Sequence, residues 1–134
     1  MSLTYARATA CISAIFERAR TDGGRPVAVA VVDEYGEMIA FGRMEGSPVR
    51  AVTMAPNKAY TAARLERDSD TWGKQLTDGN QEASWFGDPR YCGLPGGLVV
   101  RDGDDCIGGV GVSGRTGAED KELALFGLAQ ITSH

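Results

Sequence analysis

Residues 94–120 read LPGGLVVRDGDDCIGGVGVSGRTGAED and combine the signals of two strands, a turn and a helix start. Val99 and Val100 begin an apolar strand, residues 102–105 supply acidic turn residues around a glycine, and residues 106–113 return as the partner strand. Strands joined by a tight turn run antiparallel. The stretch therefore predicts a β-hairpin whose second strand is rich in glycine.

The hairpin leads into a helix. Thr116 stands three residues before Glu119, the spacing at which a hydroxyl and a carboxylate satisfy each other's backbone donors at a helix N-terminus. The residues that follow carry an apolar stripe at helical spacing, made of Leu123, Phe126, Ala129 and Ile131. We expect a capped final helix that uses this stripe first as core and second as a subunit contact.

Three glycines of the stretch match a nucleotide-binding pattern. Gly109, Gly111 and Gly114 have the spacing Gly-x-Gly-x-x-Gly, but they fall within the strand and no second parallel strand can follow before the end at residue 134. Glycine inside a strand marks a bulge or a close neighbour of the backbone. We expect a helix, another subunit or a flat ligand to approach this strand.

The first third of the chain predicts a helix and a second hairpin. Apolar spacing indicates a helix over residues 3–21, and residues 26–44 read as two strands. Asp33 and Gly36 occupy the first and fourth positions of the turn between these strands. Both faces of the first strand are apolar, so we expect this sheet to be covered on both sides.

The middle of the chain is less regular. Pro56 is tolerated in a first helical turn, so we expect a helix over residues 55–66 and a short helix around residues 71–76. Residues 67–97 also hold four of the ten aromatic side chains, which are Trp72, Trp85, Phe86 and Tyr91. A long aromatic segment of this kind either covers a core edge or forms a wall of a binding pocket.

Composition and charge exclude several classes of function. A formal net charge of −4 gives no electrostatic reason to expect binding to nucleic acid or to an anionic membrane. Residues 1–20 read as an amphipathic helix rather than a signal peptide, and no apolar run reaches about 20 residues. We expect one α+β domain over residues 1–134, located in the cytoplasm.

Cysteine and histidine usage limits the possible chemistry. Cys11, Cys92 and Cys106 are widely spaced, which indicates buried or half-buried free thiols rather than disulfides or a zinc site. The sole histidine is His134, so catalytic triads and most transition-metal sites are not expected. Asp68 and later residues only begin to resemble a calcium loop, so no metal site is predicted.

Four segments in order carry a resemblance to a known family: residues 27–46, 55–64, 95–97 and 107–124. These segments, VAVAVVDEYGEMIAFGRMEG, APNKAYTAAR, PGG and IGGVGVSGRTGAEDKELA, resemble the GlcG/HbpS-like family, which includes haem-binding sensors and a C-terminal domain of some corrinoid adenosyltransferases. The resemblance implies a profilin-like α/β/α sandwich around a five-stranded antiparallel sheet. It also implies homo-oligomers, with dimers that commonly assemble into octamers.

The resemblance carries two departures that concern cofactors. Haem-binding relatives use a histidine as an iron ligand, and no internal histidine exists here. The family's proline after the double glycine is also replaced, because Leu98 follows Gly96 and Gly97. No cofactor is therefore assigned, although haem with a Tyr, Cys or Met ligand stays open.

Candidate site residues fall into two groups. Lys58 and Asp120 are the candidates for acid/base work, and Lys58 has the alternative of a solvated lysine. The candidates for ligand binding are Arg43, Tyr60, Trp72, Trp85, Tyr91, Gly96, Gly97, Ser113, Gly114, Arg115 and Thr116.

Two of the ligand-binding candidates have structural alternatives. Residues 113–117 lead into a helix N-terminus that favours an anion, but Thr116 and Glu119 would equally form a cap beside a solvated Arg115. Arg43 would equally form an ordinary ion pair with Glu45 or Asp120.

The sequence supports three functional hypotheses. The first is an oligomeric protein that binds a small organic acid or a flat tetrapyrrole between the aromatic segment, Lys58 and residues 113–116. The second is an enzyme of isomerase or lyase type that acts on a small oxygenated acid with Lys58, Tyr60 or Asp120. The third is a scaffold that only assembles.

Overall fold

The computed structural model describes residues 2–132. The elements are α1 (Tyr5–Thr21), β1 (Ala28–Asp33), β2 (Met38–Arg43), α2 (Ala51–Leu65), α3 (Ser69–Asp78), a 3₁₀ turn (Ala83–Phe86), β3 (Gly97–Asp102), β4 (Asp105–Ser113) and α4 (Gly117–Thr132). Within these described residues, no helix combines the length and hydropathy needed to cross a bilayer.

The two predicted hairpins form one antiparallel sheet. Its strand order is β2-β1-β4-β3, and the hairpins join where β1 pairs with β4, for example Val29 with Val112. The described sheet has four strands, so the expected fifth strand is wrong. Residues 79–96, which could have supplied it, form turns and a 3₁₀ turn instead, since their glycines and prolines interrupt strand pairing.

The helices cover the sheet in two layers. Helices α1 and α4 pack on one face, where Val27, Val29 and Val31 belong to the main core. Helix α2 packs on the other face, where Ala28 and Ala30 contact its alanines. Both faces of β1 are thus buried as expected, and the sandwich is α+β with helices on both sides.

The edge strand β2 is not covered on both sides, although the sequence predicts that the sheet is. Met38 is 48% exposed and Phe41 is 38% exposed, so the cover does not extend across the whole hairpin. The turn itself is as expected: the Gly36 amide donates to the Asp33 carbonyl at 3.0 Å, and Gly36 takes a φ of +85°.

The glycines of β4 are explained by helix α2. A Cβ at Gly111 would lie 2.1 Å from the Ala55 carbonyl oxygen, and one at Gly109 would lie 2.4 Å from the Ala59 oxygen. Only glycine leaves room for the helix backbone at this distance. The close neighbour expected from the sequence is therefore a helix, and the nucleotide-like spacing has no role in these contacts.

Helix α2 begins earlier than expected. It starts at Ala51 rather than near residue 55, and Pro56 lies inside it. The first turn is tight, since the Ala51 amide donates to the Pro48 carbonyl at 2.9 Å. An interior proline removes one helical N–H bond and crowds the carbonyl four residues earlier. Ala51 and Ala55 are nevertheless completely buried, so this part of the helix still packs closely on the sheet.

The cysteines are free thiols, as expected. Cys11 is buried, and Cys92 and Cys106 are half-buried. Burial raises the pKa of the Cys11 thiol to about 12, which makes it unreactive at neutral pH.

Candidate functional site

The two residues predicted for acid/base work are in direct contact. Lys58 lies in α2 and Asp120 lies in the first turn of α4. The Lys58 ammonium donates to Asp120 Oδ2 at 3.0 Å and to the Val112 carbonyl oxygen at 3.0 Å. Their side chains are 3% and 2% exposed, so the ion pair is buried between the sheet and two helices.

Asp120 is held from two directions. Its Oδ1 accepts a hydrogen bond from the Arg115 amide at 2.9 Å, while Oδ2 accepts from Lys58. Burial raises the pKa of the Asp120 carboxyl, and the charge of Lys58 opposes that rise. A carboxyl with a raised pKa beside an ammonium is an arrangement that can hold or transfer a proton.

The double glycine packs against Lys58. A Cβ at Gly96 would lie 2.6 Å from the Val112 carbonyl oxygen and 3.0 Å from Lys58 Nζ. A Cβ at Gly97 would lie 2.3 Å from the Lys58 carbonyl oxygen. Gly96 and Gly97 therefore let the start of β3 close around the lysine.

A pocket of about 220 Å³ opens onto this ion pair. We call it the Lys58 pocket; besides Lys58 and Asp120 its lining includes Arg50, Met54, Leu94, Pro95 and Ser113. The Ser113 side chain is buried, and no hydrogen bond to its hydroxyl is found among residues 2–132. Its hydroxyl is thus a free polar group beside the ion pair.

Four of these lining residues were missed by sequence reasoning: Arg50, Met54, Leu94 and Pro95. Met54 stands four residues before Lys58 and so shares its helix face, which was a usable signal. Arg50 precedes the helix and is exposed, with no ion pair within the described chain. It therefore supplies an unpaired positive charge on the exposed side of the pocket.

Arg115 is not the solvated residue that the capping interpretation assumed. Its guanidinium donates to Asp22 at 2.6 Å and 2.9 Å, to the Arg25 carbonyl at 2.7 Å and to the Ala19 carbonyl at 3.2 Å. The side chain is 5% exposed. The hydrogen bonds from Arg115, followed by the one from the Gly24 amide, lower the pKa of the Asp22 carboxyl to about 2. Arg115 lines the pocket but is committed to joining α1 to the start of α4.

The predicted helix cap is confirmed. The Glu119 amide donates to the Thr116 hydroxyl at 3.3 Å, and the Thr116 amide donates to Glu119 Oε1 at 3.3 Å. Gly114 stands just before, with a φ of +139° and the Pro26 carbonyl 2.7 Å from where a Cβ would be. Thr116 and Gly114 thus shape the backbone around the pocket.

The aromatic residues form a separate cluster. Trp72 meets Tyr91 with ring centroids 5.7 Å apart and meets Phe86 at 5.3 Å. Trp72 is 3% exposed and Trp85 is 66% exposed. Trp72, Trp85 and Tyr91 are absent from the lining of the Lys58 pocket, which the segment reaches through Leu94 and Pro95. The contacts favour the interpretation of this segment as a cover.

Tyr60 belongs to that cover. Its ring centroid lies 5.6 Å from that of Tyr91, and the Arg90 guanidinium lies 4.0 Å above the Tyr60 ring. Its phenol donates a short hydrogen bond to Asp88. Burial, together with the bond to Asp88, raises the pKa of the Tyr60 phenol.

Arg43 lies apart from the pocket lining. It is exposed at the end of the edge strand, where it pairs with Ala28. Within residues 2–132 it forms no ion pair with either expected partner, Glu45 or Asp120, and the Asp120 carboxylate accepts from Lys58 and the Arg115 amide instead.

Metal ligands are not clustered. Within residues 2–132, no group of three or more His, Cys, Asp or Glu side chains could hold a metal ion. Asp68 instead accepts the Val99 amide at 3.1 Å, and Asp70 pairs with Lys121 at 2.7 Å. His134 lies outside the described residues.

Comparison with known proteins places the chain in a family. Residues 3–129 match the model of the family described as "Haem degrading protein HbpS-like". The chain is 33% identical to GlcG of Escherichia coli K12 over 111 residues, which cover 83% of this chain and 81% of GlcG.

Solved structures of related proteins have the same fold as this chain. A double mutant of HbpS from Streptomyces reticuli is similar with a TM-score of 0.88 and 30% identity, covering 100% of this chain and 89% of that one. The structure titled "PduOC:Heme Complex" has the same fold, with a TM-score of 0.89, 23% identity and coverage of 98% and 96%. The chain belongs to the HbpS-like family.

Proposed function

We propose that this protein binds a small organic acid, or the acidic arm of a larger ligand, in the Lys58 pocket. The observation that carries the proposal is a buried Lys58–Asp120 ion pair at a pocket that also holds the free Ser113 hydroxyl and the unpaired Arg50. Binding sites commonly combine an enclosed surface with a few convergent polar groups. Haem binding by a relative supports small-molecule binding at the level of the family.

Charge favours an acid over a neutral ligand. Lys58 is balanced by Asp120 and Arg115 by Asp22, so Arg50 contributes the charge that is left over at the pocket. An ammonium has three donors, and Lys58 uses two of them on Val112 and Asp120. One Lys58 N–H, the Ser113 hydroxyl and Arg50 are then available to a carboxylate.

Size favours an acid of a few carbons. The pocket holds about 220 Å³, which is less than the roughly 300–1,000 Å³ that encloses a drug-sized ligand. It does not fit an enclosed haem with a histidine ligand, since none of the described residues that line it is a histidine and Met54 is the one sulfur-containing side chain among them. A tetrapyrrole would present only a propionate arm here.

Titration calorimetry tests the proposal. Glycolate is the small-acid probe, and haem is followed separately through its Soret band. We expect saturable glycolate binding that weakens about tenfold in Arg50→Gln, the loss of one charge-assisted hydrogen bond. Ser113→Ala should weaken it less, and Lys74→Gln, an exposed lysine paired with Asp78, should not change it. Equal affinity in all four proteins would contradict the proposed pocket.

An enzyme that acts on the same acid is the second candidate. The specific observation is the raised pKa of Asp120 inside the pocket beside Lys58. Such a pair would exchange a proton at the carbon next to the carboxylate. Incubation of the acid in D₂O should then remove its C2 proton signal in NMR spectra, and Asp120→Asn should abolish the exchange. Retention of the signal with wild-type protein would exclude this activity.

Assembly into homo-oligomers is the third part of the proposal. A groove of about 440 Å³ lies between α1 and the edge strand β2, and Tyr5, Met38 and Phe41 leave apolar surface exposed there. An exposed strand edge beside apolar side chains favours pairing with a second copy. Light scattering after size exclusion should give a dimer or larger ring, up to an octamer, and Phe41→Glu should reduce it. A monomeric wild type would contradict assembly.

A further inference from the structure

A second pocket adjoins the Lys58 pocket. It holds about 570 Å³, and Arg25, Arg50, Gly114, Arg115 and Glu119 are among its lining residues. We call it the Arg25 pocket. It shares the lining residues Arg50 and Arg115 with the Lys58 pocket, so the two pockets are neighbours. Arg25 lines the Arg25 pocket but not the Lys58 pocket.

Two guanidinium groups in the Arg25 pocket have no ion pair. Arg25 and Arg50 are both exposed, and neither forms a salt bridge within residues 2–132. Arg115 is neutralised by Asp22, and the Glu119 carboxylate already accepts from the Thr116 hydroxyl at 2.8 Å. The two positive charges of Arg25 and Arg50 exceed the single negative charge of Glu119, so the Arg25 pocket keeps one net positive charge. The protein as a whole has a net charge of −4.

We propose that the two pockets form one site for a small molecule with two acidic groups. One acidic group enters the Lys58 pocket, and the second lies between Arg25 and Arg50. A guanidinium offers two parallel N–H donors to a carboxylate or phosphate, which suits it to an exposed acidic group. This inference rests on the proposed binding of an acid in the Lys58 pocket and names its ligand class, a diacid.

The arrangement of cations supports two groups rather than one. Lys58 is buried, and two of its donors are fixed by Val112 and Asp120, so it has room for one acceptor atom. Arg25 and Arg50 are exposed and unconstrained by other acids. A monoacid inside the Lys58 pocket leaves Arg25 unused. A diacid engages both pockets at once, so the second contact adds affinity without a second binding event.

Matched acids and one discriminating variant test this inference. Calorimetry compares malonate, succinate and glutarate with propionate, butyrate and valerate, the monoacids of the same chain lengths. Phosphonoacetate distinguishes a phosphorus acid from a second carboxylate. At least one diacid should bind about tenfold more tightly than its monoacid, the effect of one added charge-assisted contact. Arg25→Gln should abolish that advantage and leave monoacid affinity unchanged, and Lys74→Gln should alter neither.

The outcomes separate this inference from the one it rests on. Equal affinity for diacids and monoacids, or an Arg25→Gln variant that keeps the diacid advantage, would overturn the two-pocket site while the Lys58 pocket stands. No binding of any acid would overturn both. Weaker binding of monoacids in Arg25→Gln would also contradict the two-pocket site, because Arg25 would then contribute to binding in the Lys58 pocket.

Discussion

The Lys58 ammonium and the Asp120 carboxylate lie 3.0 Å apart, although 61 residues separate them in the chain and both are almost completely buried. A buried ion pair is weak support for stability, because the loss of hydration offsets much of the attraction. It is, however, a fixed pair of opposite charges next to a pocket. The proposed binding of an acid gives this buried pair a use beyond stability.

Removal of either partner should destabilise the fold strongly. Lys58→Met leaves the Asp120 carboxylate buried without a counter-charge, which we expect to lower the free energy of unfolding by about 3–5 kcal/mol. The double variant Lys58→Met with Asp120→Asn removes both charges and keeps an oxygen to accept the Arg115 amide. It should recover most of the loss in urea denaturation. A double variant as unstable as the single one would contradict the view that the isolated charge is responsible.

The contact between Arg115 and Asp22 predicts a pH dependence. The pKa of Asp22 is about 2 in the folded protein and 3.8 without partners, so the unfolded chain binds the proton more tightly. The stabilisation is thus complete above about pH 4 and is lost as the pH falls toward about 2. Urea midpoints measured across this window should fall more steeply in wild type than in Asp22→Asn. Parallel curves would show that the contact does not contribute.

The packing of α2 on the β4 glycines predicts an unequal effect of adding a methyl group. Gly111→Ala places a Cβ 2.1 Å from the Ala55 carbonyl, so the helix must move, and we expect a loss of about 3 kcal/mol or more. Gly87→Ala is the control: it has a φ of +76° and no atom within 4 Å, so strain of about 1–2 kcal/mol is expected. Similar losses in thermal unfolding would contradict the close approach.

The two tryptophans test whether the aromatic segment is a cover. Trp72 is buried against Tyr91 and Phe86, so Trp72→Ala should lower the free energy of unfolding by about 3–5 kcal/mol. Trp85 is 66% exposed, so Trp85→Ala should have little effect on stability. Neither change should alter acid affinity where the protein stays folded. Loss of binding in Trp85→Ala would instead make this segment a wall of the site.

Features set by near neighbours could be predicted from the sequence. The Asp33–Gly36 turn and the Thr116–Glu119 cap each involve residues three apart, and both are present. The two hairpins are also predictable, because each pairs strands that are adjacent in the chain and joined by a short turn. The fifth strand was inferred from the resemblance rather than from any strand pattern, and the irregular residues 79–96 do not provide it.

Features set by distant residues could not be predicted. Arg115 meets Asp22 across 93 positions, and a sequence pattern gives no sign of this partner. The sequence singles out Lys58 and Asp120 separately, but their contact depends on how α2 and α4 pack around the end of β4. Glycine in β4 predicted a close neighbour without identifying it as α2. Arg50 was overlooked because its importance comes from the pockets that it lines.

An NMR titration of isotope-labelled protein with glycolate tests the Lys58 pocket directly. Binding there should give saturable shifts of the amides of Arg50, Ser113 and Gly117, which line the pocket, with the amide of Thr9 on α1 unchanged. Saturable shifts confined to the aromatic cluster around Trp72 and Tyr91, or no shifts at all, would contradict it.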